Sequence, residues 1–130
     1  MSLVLIAIVD DEEPVRNATK SLVRSLGYHD STFASADAFL KSEQVHDTSC
    51  LITDVQMPGL SGLDLQDHLI ARGHRIPIIF MTGYPNDSVR ARAMKAGAVC
   101  FLNKPLHEDH FIGCIEKALN LNSPDEPWGG

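Results

Sequence analysis

The sequence predicts an α/β domain of five strand–helix units, a parallel sheet wound on both sides by helices. Two observations carry that prediction. Five short apolar runs recur along the chain, and four of them are nearly continuous rather than alternating, as in strands covered on both faces. Each run is followed by a stretch whose apolar residues recur at helical spacing. Five such alternations give a doubly wound (βα)5 domain with right-handed crossovers.

The first run, LVLIAIV (Leu3 to Val9), leads to a helix striped by Val15, Thr19, Leu22, Val23 and Leu26, with Gly27 as its stop signal. The second, YHDSTF (Tyr28 to Phe33), contains polar residues and reads as an edge strand. Ala36, Phe39 and Leu40 form a short stripe after it. The third run, CLIT (Cys50 to Thr53), precedes a helix lined by Leu65, Leu69 and Ile70 and ended by Gly73. The fourth, PIIFM (Pro77 to Met81), precedes Val89, Ala93 and Met94, ended by Gly97. The fifth, AVCFL (Ala98 to Leu102), precedes Phe111, Cys114, Ile115, Ala118 and Leu119. The domain is expected over residues 1–121. The polar stretch NSPDEPWGG (122–130) reads as a tail or the start of a linker, with Trp128 packing back on the domain.

Composition narrows the function. A chain of 130 residues suits one domain with a proper core. Its net charge of −6 argues against a general nucleic-acid surface, which needs clustered Lys and Arg. No apolar run reaches the roughly 18 residues of a membrane span, and the opening MSLVLIAIVDDEE lacks the basic start of a secretory signal. Cys50, Cys100 and Cys114 show no CxxC or Cys/His ligand spacing. They are expected to be reduced, buried thiols in a cytoplasmic protein.

In open α/β sheets, ligands bind beyond the carboxyl ends of the strands. Here those ends carry Asp10 and Asp11 (then Glu12 and Glu13), Asp54, Thr82 and Lys104. An acid before a helix is usually a cap, but acids, a hydroxyl and an ammonium converging from four strands are more than capping. Two carboxylates about 4 Å apart repel by about 4 kcal/mol at an effective dielectric of 20, a sizeable part of a folding stability of roughly 5–15 kcal/mol. A hard divalent cation relieves that cost, and an oxygen-only donor set suits Mg2+, with Mn2+ as a substitute. Asp10 and Asp11 are the natural cation ligands, and the backbone carbonyl of Gln56 is a further one. Asp54 stands alone on the central strand. An ordinary aspartate is ionised at neutral pH and needs no general base to attack phosphorus. Asp54 is therefore the expected phosphoacceptor, with Lys104 neutralising one phosphoryl oxygen and Thr82 donating to another.

The set VDDEEP, LITDVQMPGLSG, IIFMTGY and MKAGAVCFLNKP resembles the receiver domain of two-component response regulators, over about residues 3 to 121. TDVQMPGLSGLDL and RAMKAGAVCFLNKP are most similar to receivers of the FixJ type, whose members usually carry a LuxR-like DNA-binding output domain. The resemblance implies a flavodoxin-like fold with strand order 2-1-3-4-5 and Mg2+-dependent phosphorylation of Asp54 by a sensor histidine kinase. It also implies Asp10 and Asp11 as metal ligands, Thr82 and Lys104 as phosphoryl contacts, and a cis peptide before Pro105. It further implies a cytoplasmic signalling domain, not a turnover enzyme. Phe101 takes the place of the strand-five aromatic of receivers. Without a hydroxyl it can swing between burial and exposure but makes no side-chain hydrogen bond. Its plain alternative is an ordinary core aromatic.

On phosphorylation, Thr82 is expected to move toward the new oxygens and Phe101 to turn into the space left, repacking the loop GYPND and the helix from about Asn86 to Ala96. The surface affected, formed by the fourth helix and the fifth strand and helix, carries Arg90, Arg92 and Lys95 with Glu108, Asp109 and Glu116. That mixture suits a self-complementary homodimer or two plain solvated faces. The output stays open between transcriptional control through a following DNA-binding domain and a single-domain regulator or phosphate sink working through protein contacts. A dehalogenase-like phosphatase would need an acid where Gln56 stands. A dinucleotide site would need a glycine-rich loop where DDEEP stands. His107 and His110, three apart, read as surface residues, and His29, His46, His68 and His74 are given no role.

Overall fold

A computed structural model describes residues 4–121; the tail 122–130, including the expected packing of Trp128, lies outside the described residues. The elements run β1 (Leu5–Val9), α1 (Glu13–Ser25), β2 (His29–Phe33), α2 (Ala36–Leu40), β3 (Cys50–Asp54), α3 (Gly62–Ala71), β4 (Ile78–Thr82), α4 (Asp87–Lys95), β5 (Cys100–Asn103) and α5 (Glu108–Leu121). All strand pairs are parallel and the order is β2-β1-β3-β4-β5. The doubly wound reading is therefore met, with polar β2 on an edge and β3 in the middle. One feature absent from the sequence reading is a 3-10 turn at Glu43–Asp47, which buries Val45 after the very short α2.

Period-two alternation divides the core between two layers. Ala7, Val9, Leu51 and Phe80 face α2, α3 and α4, whereas Ile6, Ile8, Cys50, Ile52, Ile79 and Met81 face α1 and α5. Each large aliphatic side chain so enclosed contributes about 1.5–3 kcal/mol. On β5 the alternation sends Phe101 toward the α4 layer and Cys100 and Leu102 toward the α5 layer. The stop signals behave as read: Gly27 and Gly97 adopt φ of 89° and 107° just after α1 and α4, a region costly for other residues.

Asp54 and Thr82 end their strands as expected. Apolar runs mark the core, but the ladder continues past them: Asp54 pairs with Met81 and Thr82 with Asn103. Both polar residues are thus the last residues of their strands.

The cysteines need a correction. Cys50 is buried and free, and burial pushes its thiol up to about 12. Cys100 and Cys114 are not reduced thiols: they form a disulfide with Cα atoms 6.1 Å apart. Their separation of 14 residues hid this, because only the fold turns both side chains into the layer between β5 and α5.

Candidate functional site

The carboxyl ends of β1, β3, β4 and β5 meet at one end of the sheet. Asp10 directly follows β1 and is fully buried. Its Oδ1 accepts the Glu12 N–H at 2.9 Å, and its backbone carbonyl accepts from Arg16 Nη1 at 2.8 Å. Asp54, at the tip of β3, is 5% exposed, and its Oδ1 accepts the Gln56 N–H at 3.3 Å.

The Lys104 ammonium joins these acids. Nζ lies 3.0 Å from Asp54 Oδ2, 3.1 Å from Asp10 Oδ2 and 3.1 Å from Glu12 Oε1. The lysine is placed there by backbone: its N–H donates to the Thr82 carbonyl at 2.7 Å, and the Lys104–Pro105 peptide is cis. Burial alone would lower the Lys104 pKa, but hydrogen bonds to Asp54 and Glu12 and the Asp10 carboxylate beside it outweigh this and hold the ammonium above the ordinary lysine range. Burial raises the Asp10 carboxyl above its ordinary value of 3.8; the Glu12 N–H and Lys104 oppose this without cancelling it.

A divalent cation fits these donors. Asp10, Glu12 and Asp54 each bring a carboxylate oxygen within 4.8 Å of the others. Three carboxylates against one ammonium leave negative charge uncompensated. Asp10 Oδ2 is buried and, despite lying near Nζ, receives no well-directed hydrogen bond. An orphaned carboxylate oxygen in an all-oxygen cluster is what a hard cation satisfies.

A further carboxylate joins the expected acids. Asp11 is exposed beside Asp10, and Glu12 stands with Asp10 and Asp54 in a three-acid cluster. Glu12 sits at the N-cap of α1, yet its side chain makes no cap hydrogen bond; it reaches the lysine instead.

Thr82 is 2% exposed and its Oγ1 accepts the Tyr84 N–H at 3.0 Å, which leaves the hydroxyl proton free for another acceptor. Phe101 is half-buried, with its ring centroid 6.1 Å from that of Phe80. On α4, the Ala93 carbonyl accepts from Gln66 Nε2 of α3 at 3.1 Å, and Arg92 pairs with Asp67 at 2.8 Å.

Gly62 is the further site residue that sequence reasoning passed over. A Cβ there would overlap the Asp54 carbonyl oxygen and lie 3.1 Å from both Asp54 C and Val55 Cα. Its N–H donates to the Val55 carbonyl at 2.8 Å. The phrase PGLSG was the available signal, since a glycine opening a helix often marks close backbone approach. Next to it, Ser61 and Asp64 form a reciprocal capping box that fixes the start of α3.

Beside the acids, Lys104 also lines an apolar groove of about 400 Å³ with Pro14, Val15, Ala18, Leu22 and Leu106. A cavity of about 490 Å³ between the ends of α3 and α4 includes His74 and Gly97 and none of the acidic site residues.

An acidic bowl around a lone acid on the central strand, capped by a lysine from β5, is now joined by a direct match: the response regulator receiver domain family matches residues 6–116. The chain belongs to that family. The response regulator protein TmoT of Ectopseudomonas mendocina is 45% identical over 117 residues, covering 90% of this chain and 53% of TmoT. The response regulator StyR superposes with a TM-score of 0.87 at 40% identity, covering 93% of this chain and 61% of that one. The crystal structure of FixJ-N gives 0.81 at 37% identity, covering 92% and 95%, so the FixJ-type likeness holds. Receiver domains are signalling modules rather than classical enzymes. The chain spans about half the length of the curated relatives it matches. Among the described residues, no helix is long and apolar enough to cross a membrane.

Proposed function

We propose that Asp54 accepts a phosphoryl group from a phosphohistidine of a sensor histidine kinase and that the modified domain signals through α4, β5 and α5. The observation that carries this reading is Lys104 Nζ 3.0 Å from Asp54 Oδ2. A carboxylate oxygen of Asp54 attacks phosphorus as the phosphorus–nitrogen bond breaks, and the imidazole leaves with the bonding pair. The Lys104 ammonium, held charged by its acidic neighbours, faces the oxygens where negative charge collects. The free Thr82 hydroxyl proton donates to another of them. Asp10, Asp11, Asp54 and the Gln56 backbone carbonyl would hold Mg2+, with Glu12 within reach of the same cluster. When bound, Mg2+ supplies the positive charge that the acids and the phosphoryl group both lack. The groove beside Lys104 offers a kinase an apolar footing next to the acceptor.

Phosphorylation adds charge where Lys104 and Thr82 now make other contacts. Drawing Thr82 in releases the Tyr84 N–H, frees space for Phe101 and works against the Gln66 and Asp67 ties on α4. Moving such a switch from 1% to 99% active requires about 5.5 kcal/mol of differential stabilisation. Several charge-assisted contacts supply energy of that order. The domain, residues 1–121, thus works in the cytoplasm, dimerises through α4–β5–α5 and loses its phosphoryl group by hydrolysis without acting on outside substrates. A DNA-binding output domain would make the parent a transcription regulator, as the name of the relative FixJ suggests.

The test compares wild type with Asp54→Asn in a small acyl phosphate, with Mg2+ or with a chelator. Wild type with Mg2+ should gain the mass of one phosphoryl group, removable by hydroxylamine, and the variant should not. Equal labelling of the two proteins refutes the assignment.

A further inference from the structure

Cysteine chemistry is the part of the molecule that the receiver reading leaves unused. Cys114 faces inward from α5, while Cys100 lies on the edge strand β5 immediately before Phe101. Cys114 is 9% exposed and Cys100 half-buried, so an external reagent reaches the pair more readily than it reaches the core. Cys50 is fully buried on β3, and the raised pKa of its thiol leaves little thiolate to react. Any thiol chemistry is therefore confined to one pair, and that pair spans two elements of the proposed output surface.

The helix it fastens has a weak point at the anchor. Gly113, next to Cys114, lies inside α5, where glycine lowers helix stability relative to alanine. A Cβ at Gly113 would meet nothing within 4 Å, so no close approach demands the glycine. Phe111, Ile115 and Ala118 are fully buried and hold α5 on the sheet without the bond. Breaking the bond would accordingly loosen α5 rather than unfold the domain.

We propose that Cys100 and Cys114 form a reversible thiol–disulfide modification site, oxidised by a low-molecular-weight disulfide, whose bond clamps α5 to β5. The Cys100 thiolate attacks one sulfur of the reagent and expels a thiolate, leaving a mixed disulfide. The Cys114 thiolate then attacks the Cys100 sulfur and expels the second. Two protein thiols give up two electrons and two protons, and the reagent disulfide becomes two thiols. In a cytoplasmic protein such a bond is transient and sensing rather than structural. Its effect on signalling rests on the output surface proposed above; its chemistry does not.

The test uses the full chain in buffers of defined glutathione to glutathione disulfide ratio, without any phosphodonor. Thiols are trapped with N-ethylmaleimide and mapped by peptide mass, and amide exchange is followed over residues 108–121. Oxidation should link the Cys100 and Cys114 peptides within one chain, with Cys50 alkylated only after unfolding. Reduction should speed α5 exchange by at least about tenfold. Cys100→Ala and Cys114→Ser should exchange fast at every ratio. The proposal is overturned if both thiols stay alkylatable at all ratios, if the bond forms only between chains, or if α5 exchange ignores the redox state. Because no phosphoryl transfer is involved, failure of the receiver reading would leave these outcomes unchanged.

Discussion

Two corners of the molecule lead from the sheet into a helix on the same functional end, and they are built differently. The β3-to-α3 corner presents the acid and is fixed by backbone: Asp54 stays in the ladder, Gly62 presses on its carbonyl, and Ser61 and Asp64 lock the helix start. The β5-to-α5 corner presents the cation: the Lys104 backbone is tied to the Thr82 carbonyl, but its ammonium is held by three carboxylate side chains and Phe101 is only half-buried. The difference teaches where motion is permitted. On the proposed function, the phosphoacceptor benefits from a rigid mount, whereas the groups that respond to the phosphoryl group must be able to change partners.

The largest way to break this contrast is Gly62→Ala. The new methyl meets backbone that cannot step aside, so denaturant titration should show a loss of about 3 kcal/mol, and Asp54 labelling should fall with it. A well-folded Gly62→Ala domain with normal labelling would mean that the corner is not rigid. Next comes Lys104→Met, which leaves buried acids unpaired. The metal-free domain should lose about 2 kcal/mol, and millimolar Mg2+ should restore part of it, since a ligand that binds only the folded state stabilises that state. No Mg2+ rescue would argue against a cation at the acids.

Asp10→Asn acts in the opposite direction. A folded-state pKa raised above 3.8 means that ionising this acid costs the fold stability. The penalty is absent below the unfolded value and fully present once pH exceeds the raised one, hence at neutral pH. The variant should therefore melt higher at neutral pH without Mg2+, and the gain should vanish at low pH and shrink as Mg2+ is added. A lower melting point would show that the Lys104 pairing outweighs burial. The smallest effect is expected from Ser61→Ala, which removes a cap from α3 at a cost of roughly 0.5–1 kcal/mol while leaving labelling rates nearly intact.

Most of this arrangement was legible in the residue order. Continuous apolar runs announced buried parallel strands, and the polar residues of β2 announced an edge. Asp10, Asp54, Thr82 and Lys104 were visible because strand ends are countable from the apolar runs. What escaped depends on directions that a linear pattern does not carry. The reach of Glu12 to Lys104 turns on which way the chain leaves β1. The closeness of Gly62 to Asp54 depends on how the loop doubles back. The Cys100–Cys114 bond needs α5 folded over β5 before two cysteines without a motif become neighbours.

The most direct test of the central claim is to find where the phosphoryl group sits. Protein treated with Mg2+ and a small acyl phosphate is reduced with borohydride, which converts an aspartyl phosphate to homoserine, and then digested and sequenced by mass spectrometry. The account predicts homoserine at position 54 and nowhere else. Homoserine at position 10 or 11, a phosphoryl group retained on a histidine, or no modification at all would contradict it.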